Sequence, residues 1–155
     1  MERQRHAYHD EKNQIAYRDY TDEEQAEYEA RMAENAIAAA LELRASVNAE
    51  RARRIVKGTV IDGIYVTGRD EDARNLQGLA FAAQLRLGQG DESTITVFRD
   101  GNNIDHKLTP MQVIGLWQAA AGYVTAVYAA SWAIKAMDPI PADYASDKYW
   151  NVALR

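Results

Sequence analysis

Apolar positions recur along this chain with two periods, near four and three alternately and near two, and each predicts a different element. Thr21-Asp22-Glu23-Glu24 has the form of a capping box, with Thr at the N-cap and Glu three residues on. From there to Val56 no Pro or Gly interrupts, and Ala36-Ile37-Ala38-Ala39-Ala40 fills the middle with strong helix formers. The early turns carry Asp22, Glu23, Glu24, Glu27 and Glu29; the last carry Arg51, Arg53, Arg54 and Lys57, as a helix dipole prefers. Gly58 is the expected stop. The spacing predicts one helix from 21 to 57, a rod of about 50 Å at about 1.5 Å per residue. That is long for a domain of this size, so part of the rod is expected to overhang its own globule.

The overhang needs something to pack against. Ala26, Ala30, Ala33, Ile37, Ala40 and Val47 follow heptad spacing, interrupted at Arg44. A second line runs through Tyr28, Met32, Ala36, Ala39, Leu43 and Val47. An alanine-rich helix buries little surface and is marginal alone. Three readings follow: a parallel self-associated bundle, docking on a different protein, or a solvated helix lying along its own domain.

Beyond Gly58 the period changes to two. Thr59–Ile61 and Ile64–Val66 flank Asp62-Gly63, a strong hairpin signal because both turn positions need positive φ. Residues 70–87 read as a helix with Leu76, Leu79, Ala80, Ala83 and Leu87 on one stripe. Ser93–Arg99 and Ile104–Leu108 read as strands around the turn Asp100-Gly101-Asn102-Asn103. Thr109-Pro110-Met111-Gln112 starts the last helix, which runs to about Met137. The expected fold is α+β: a long N-terminal helix and two β-hairpins forming a small antiparallel sheet, packed by a middle helix and a long apolar C-terminal helix. The expected divisions are an arm at 1–20, the helix at 21–57, and a globular domain with its tail at 58–155.

From Leu108 through Ile134 no residue is charged, which raises the question of a membrane span. Trp117, Tyr123 and Tyr128 fall in the middle of that helix instead of at its ends, where aromatic belts form. A central helix buried on most of its circumference is the expectation, with no membrane insertion. Pro139 and Pro141 end it, and the aromatic tail is expected to dock through Trp150.

The first twenty residues hold no apolar run of signal-peptide type. Ile15 is their only large aliphatic residue after Met1, yet they carry Tyr8, Tyr17 and Tyr20. Tyrosine gives contact area at low entropy cost, so the arm is expected to lie on another chain, the alternative being a short helix folded back on its own domain. The candidate partner-binding residues are Tyr8, Tyr17 and Tyr20 on the arm, Tyr28, Met32, Ile37 and Leu43 on the long helix, and Trp150 in the tail.

Charge and composition narrow the classes. Lys+Arg is 18 against Asp+Glu 23, a net −5, which argues against a nucleic-acid partner. There is no Cys, so no disulfide, thiolate metal site or Cys nucleophile. His6, His9 and Asp10 lack a further spaced ligand for a metal. Asp105-His106 has no accompanying serine signature. No phosphate-binding loop is present, and Arg51, Arg53, Arg54 and Lys57 are accounted for by the helix dipole. No cofactor, metal or catalytic residue is expected, and the chain does not read as an enzyme.

Glu50 through Gly58 closes an alanine-rich helix. Val60-Ile61-Asp62-Gly63, Thr67-Gly68-Arg69-Asp70, Asn75-Leu76-Gln77-Gly78, Arg99-Asp100-Gly101 and Leu108-Thr109-Pro110 follow in order, then a tyrosine-containing helix reaching Lys135. In these motifs residues 45–137 resemble an uncharacterised domain that recurs in tail and tail-fibre-associated proteins of tailed bacteriophages. The family pattern usually has a Trp in the strand before the Asp-Gly turn, where this chain has Val97-Phe98. The resemblance implies a structural virion protein: a tail fibre, a fibre adaptor or a baseplate-peripheral component. Its implied location is the virion tail, and the host cytoplasm before assembly. Its implied partners are other tail proteins or copies of itself, as a homotrimer. The rival expectation is a fibre-assembly chaperone absent from the particle.

Overall fold

The computed structural model describes residues 4–151. The elements in chain order are β1 (Arg5–His9), β2 (Ile15–Asp19), α1 (Asp22–Lys57), β3 (Thr59–Ile61), β4 (Ile64–Val66), α2 (Asp70–Gly88), β5 (Thr96–Arg99), β6 (Asp105–Leu108), α3 (Pro110–Lys135) and the short α4 (Asp147–Trp150). They fall into two compact units, 4–43 and 44–151, divided within α1. The α+β expectation holds, with the long first helix, the paired-strand hairpins and the long apolar last helix all present. The second unit starts at Arg44 instead of at 58, because residues 44–57 of α1 carry side chains of its core.

In the first unit the described residues of the arm form a β-hairpin and not the short helix of the alternative reading. β1 and β2 pair antiparallel from Arg5↔Asp19 to His9↔Ile15. Asp10 makes the turn. Its Oδ1 accepts the amides of Lys12 and Gln14, both at 2.9 Å, and Asn13 takes φ 58°. Asn tolerates that left-handed conformation better than most residues.

In the second unit β3–β4 and β5–β6 are separate two-stranded ladders. The first turns at Asp62-Gly63, with φ 48° and 81°, as its sequence dictates. The second repeats the arm's turn: Asp100 Oδ1 accepts from Asn102 (2.8 Å) and Ile104 (3.0 Å), and Asn103 takes φ 62°. The two ladders meet at one point. The Gly101 amide donates to the Tyr65 carbonyl at 2.9 Å, and the Tyr65 amide lies 3.3 Å from Asp100 Oδ2. A Cβ at Gly101 would stand 2.6 Å from the Tyr65 ring, so only glycine allows the approach.

Two apolar clusters follow. One joins Ile61 and Val66 of the first hairpin, Leu76, Ala80 and Ala83 of α2, Leu108, and Val113 and Leu116 of α3. The other joins Val47 of α1, Val127 and Ile134 of α3, and Trp150. Helix α3 starts with the expected capping box, Thr109 and Gln112 bonding each other's backbone amides. It contributes to both clusters, yet it is not buried on most of its circumference. Only 17% of its most apolar 18-residue window is buried. Trp117 and Trp132, at 37% and 60% exposure, face outward. By length and composition it is also long and apolar enough to cross a membrane.

Asp100 Oδ2 also meets His106 Nε2 at 3.1 Å. The Ile104 amide first, then His106, Asn102 and Tyr65, hold its carboxyl at about 2. A depressed carboxylate stabilises the fold above its ordinary value near 4, and that contribution is lost as pH falls toward about 2. Asp100→Asn is therefore expected to lower the urea midpoint near neutral pH with the slope unchanged. The gap to wild type should close as pH drops from about 5 to about 2. A gap independent of pH would show that charge at Asp100 is not the cause.

Candidate functional site

Cross-strand partners share a sheet face. Ala7↔Tyr17 and His9↔Ile15 therefore lie on one face of the arm hairpin, and His6↔Arg18 and Tyr8↔Ala16 on the other. Tyr8 and Tyr17 point to opposite sides. Tyr17 and Ile15 stand on the first face at 65% and 64% exposure. The second face turns to the start of α1. The His6 and Tyr20 rings are 6.5 Å apart, and Tyr20 meets Tyr28 edge-on at 6.0 Å. Arg31 lies 5.8 Å from the Tyr28 ring centroid. The Arg18 guanidinium grips Glu24 through two bonds of 2.6 Å. Arg18 and then the Thr21 amide hold the Glu24 carboxyl at about 2.

The sequence-predicted partner residues thus separate. Tyr20 and Tyr28 are half-buried and fasten the hairpin to its helix. Tyr8 remains 45% exposed and Tyr17 more so. On α1 every residue from 29 to 42 is exposed, with Met32 at 48%, Ile37 at 64% and Leu41 at 63%; Leu43 is half-buried. Trp150 belongs to no outer surface. It is 4% exposed within the Val47–Val127–Ile134 cluster, and its Nε1 donates to the Tyr144 carbonyl at 2.6 Å. Its expected role at a partner interface is corrected to one in the chain's own core.

The basic end of α1 does more than balance a dipole. Arg54 bonds Glu50 (2.7 Å), the Ala145 carbonyl and Asp147 (both 2.8 Å), and lies 5.0 Å from the Trp150 ring centroid. It clasps the tail to the helix. Tyr123 donates to the Arg54 carbonyl at 3.0 Å, and Lys135 donates to Asn48 at 2.8 Å, tying α3 to α1.

The remaining candidates for chemistry disperse. His6 and His9 lie on opposite faces of β1, so they do not converge on one ion. Among the described residues no group of three or more metal-ligating His, Asp or Glu side chains is gathered. Asp105 pairs with Arg99 at 2.7 and 2.9 Å, and His106 pairs with Asp100. An apolar groove of about 450 Å³ opens in the second unit, walled by Trp117, Tyr123 and Val124 and rimmed by Arg74 and Gln77. A more polar cleft of about 570 Å³ lies beside Asp100 and Asp72. The Asp72 carboxylate there accepts from Thr67 and pairs with Arg69 at 3.0 Å.

What these elements define is an α+β module on the C-terminal part of α1, together with an exposed helical segment and a hairpin. Residues 36–149 match the family described as "Domain of unknown function (DUF4376)", and the chain belongs to that family. The match takes in the tail as far as Tyr149, further than the resemblance over 45–137 reaches, and includes the Arg54–Asp147 pair. No curated protein and no solved structure matches the chain.

Two outcomes test these assignments. Trp150→Ala is expected to cost about 3–5 kcal/mol of stability in urea unfolding, the usual range for a buried Trp; a loss below 1 kcal/mol, an ordinary surface effect, would return Trp150 to the surface. Arg18→Ala should speed amide exchange in β1 and β2 by roughly two-fold, as an exposed ion pair allows. Because the Glu24 carboxyl is depressed, wild type should lose the same protection as pH falls from about 4 toward about 2. Unchanged exchange would mean that the aromatic contacts alone hold the hairpin.

Proposed function

We propose that this chain is a structural protein of a tailed-bacteriophage virion: a tail fibre, an adaptor for one, or a baseplate-peripheral component. It works by attachment and carries no catalysis of its own. The resemblance of residues 45–137 to a domain of tail-associated proteins supplies the setting. The observation that carries the attachment reading is the exposure of α1 from residue 29 to 42. An alanine-rich helix of that length gains little stability without packing. Met32, Ile37 and Leu41 give it apolar area to offer. Tyr17 and Ile15 on the outer face of the hairpin add a second patch of the kind protein interfaces favour. Several modest contacts of this sort reach useful affinity through avidity.

The contact partner is a tail protein, further copies of the chain in a trimer, or both. In solution the full chain is expected to run as an oligomer that weakens when residues 1–43 are removed; a mass unaffected by that deletion would leave docking on another tail protein as the role of α1. Mass spectrometry of purified particles should find the chain as a stoichiometric component. Its presence in infected cells but absence from particles would overturn the virion assignment and favour an assembly chaperone.

A further inference from the structure

The chain contains two Asp-Gly steps, Asp62-Gly63 and Asp100-Gly101, and the fold treats them oppositely. Such a step is open to attack of the glycine amide nitrogen on the aspartyl carboxyl, because glycine has no side chain to hold the two apart. At Asp100-Gly101 both reacting groups are occupied. The Asp100 side chain is 1% exposed; one oxygen takes the amides of Asn102 and Ile104, and the other meets His106 and the Tyr65 amide. The Gly101 amide donates to the Tyr65 carbonyl at 2.9 Å. The Ile104 amide first, then His106, holds the carboxyl at about 2, which leaves on the order of a hundred-fold less neutral acid than an ordinary aspartate has. At Asp62-Gly63 neither group is held. The two residues form the exposed tip of the β3–β4 hairpin. Nothing among the described residues bonds the Asp62 carboxyl or the Gly63 amide. A Cβ at Gly63 would meet nothing within 4 Å, so the space beside that amide is open. The ladder behind the tip has only the pairs Thr59↔Val66, Val60↔Tyr65 and Ile61↔Ile64, too few to prevent local opening. Asp62 also stands at φ 48°, a left-handed conformation that a residue with a side chain leaves easily.

We propose that Asp62 is a modification site, isomerising spontaneously to isoaspartate, and that the fold shields Asp100 from the same reaction. When the tip opens, the Gly63 amide nitrogen gives up its proton to solvent and attacks Cγ of the neutral Asp62 carboxyl. A C–N bond forms, the Cγ–OH bond breaks and one water leaves, closing a succinimide ring. Water then adds at one of the two ring carbonyls. Addition at Cγ restores aspartate. Addition at the former main-chain carbonyl breaks its bond to the Gly63 nitrogen, and the chain then runs through Cβ and Cγ with the α-carboxylate as its branch. One water is lost and one gained, so the mass is unchanged and water is the only co-reactant. The product has one more carbon in the backbone of a two-residue turn. A turn of that length fixes the register of its strands, so the neighbouring Ile61↔Ile64 pair is displaced. Ile61 is 7% exposed and packs in the cluster shared by α2 and α3, which carries the change into the core. The site is independent of the tail assignment and of the exposed part of α1.

The test uses the unmodified full chain, kept for several weeks in warm neutral buffer, either folded or unfolded in guanidinium chloride. Cleavage after lysine then frees residues 58–107 as one fragment that contains both steps. Electron-transfer dissociation splits the Cα–Cβ bond of isoaspartate and so marks which of the two positions has changed. In the folded chain isoaspartate is expected at 62 in excess over 100 by roughly ten-fold or more, given how little neutral acid Asp100 holds. In the unfolded chain the two positions should change at comparable rates, which shows that the difference belongs to the fold. Equal extents at 62 and 100 in the folded chain would overturn the proposal. So would a folded chain unchanged at 62 while the unfolded chain changes there. In a second measurement the urea midpoint of the aged folded chain should fall as its isoaspartate fraction rises; a midpoint that stays constant would overturn the link from the turn to the core.

Discussion

A carboxylate whose side chain is 1% exposed must be matched from every side or it will not stay charged, and Asp100 meets that condition by joining two hairpins. One oxygen takes two amides of its own turn, and the other takes His106 and reaches the Tyr65 amide on the neighbouring hairpin. Tyr65 then extends the linkage, because its hydroxyl donates to the Lys57 carbonyl at the end of α1, 2.6 Å away. Two three- and four-residue ladders are too short to be stable alone. Their geometry depends on this one charge and on the absence of a Cβ at Gly101. Helices α2 and α3 can then bury Ile61, Val66 and Leu108 from the same side.

A cation closes the tail onto α1 in the second unit. Arg54 is only partly exposed, and its bonds to Glu50, Ala145 and Asp147 hold the tail where Trp150 can cover Val47. Glu50 is held below its ordinary range by Arg53 and then Arg54. The family match, residues 36–149, takes in both Arg54 and Asp147. Neither segment can be removed without uncovering the other. The division of α1 between two units has the same origin: Val47 is its one buried residue, and its exposed stretch lies before that point.

Much of this was legible in the sequence, and the exceptions have physical causes. The capping boxes at Thr21 and Thr109 and the Asp62-Gly63 turn are local chemistry, and they formed where local chemistry put them. The arm hairpin escaped because β1 and β2 alternate weakly and bury almost nothing. Its signal was nevertheless present. Asp10-Glu11-Lys12-Asn13 repeats the Asp-x-x-Asn arrangement of Asp100-Gly101-Asn102-Asn103, and both make the same turn. Trp150 and Arg54 were misplaced for a different reason. Arg54 and Asp147 lie 93 residues apart in sequence, Val47 and Trp150 further still, and no periodicity reports a contact of that kind.

The exposure of α3 shows where pattern reasoning misleads most. A helix without charge reads as a helix fully buried, because burial is the common reason to exclude charge. Burial within the chain accounts for only two of its seams, those carrying Val113 and Val127 and those carrying Leu116 and Tyr123. The third seam is uncharged without being covered. Absence of charge along a helix is therefore no measure of its burial: Met111 and Trp132 on that seam are 64% and 60% exposed.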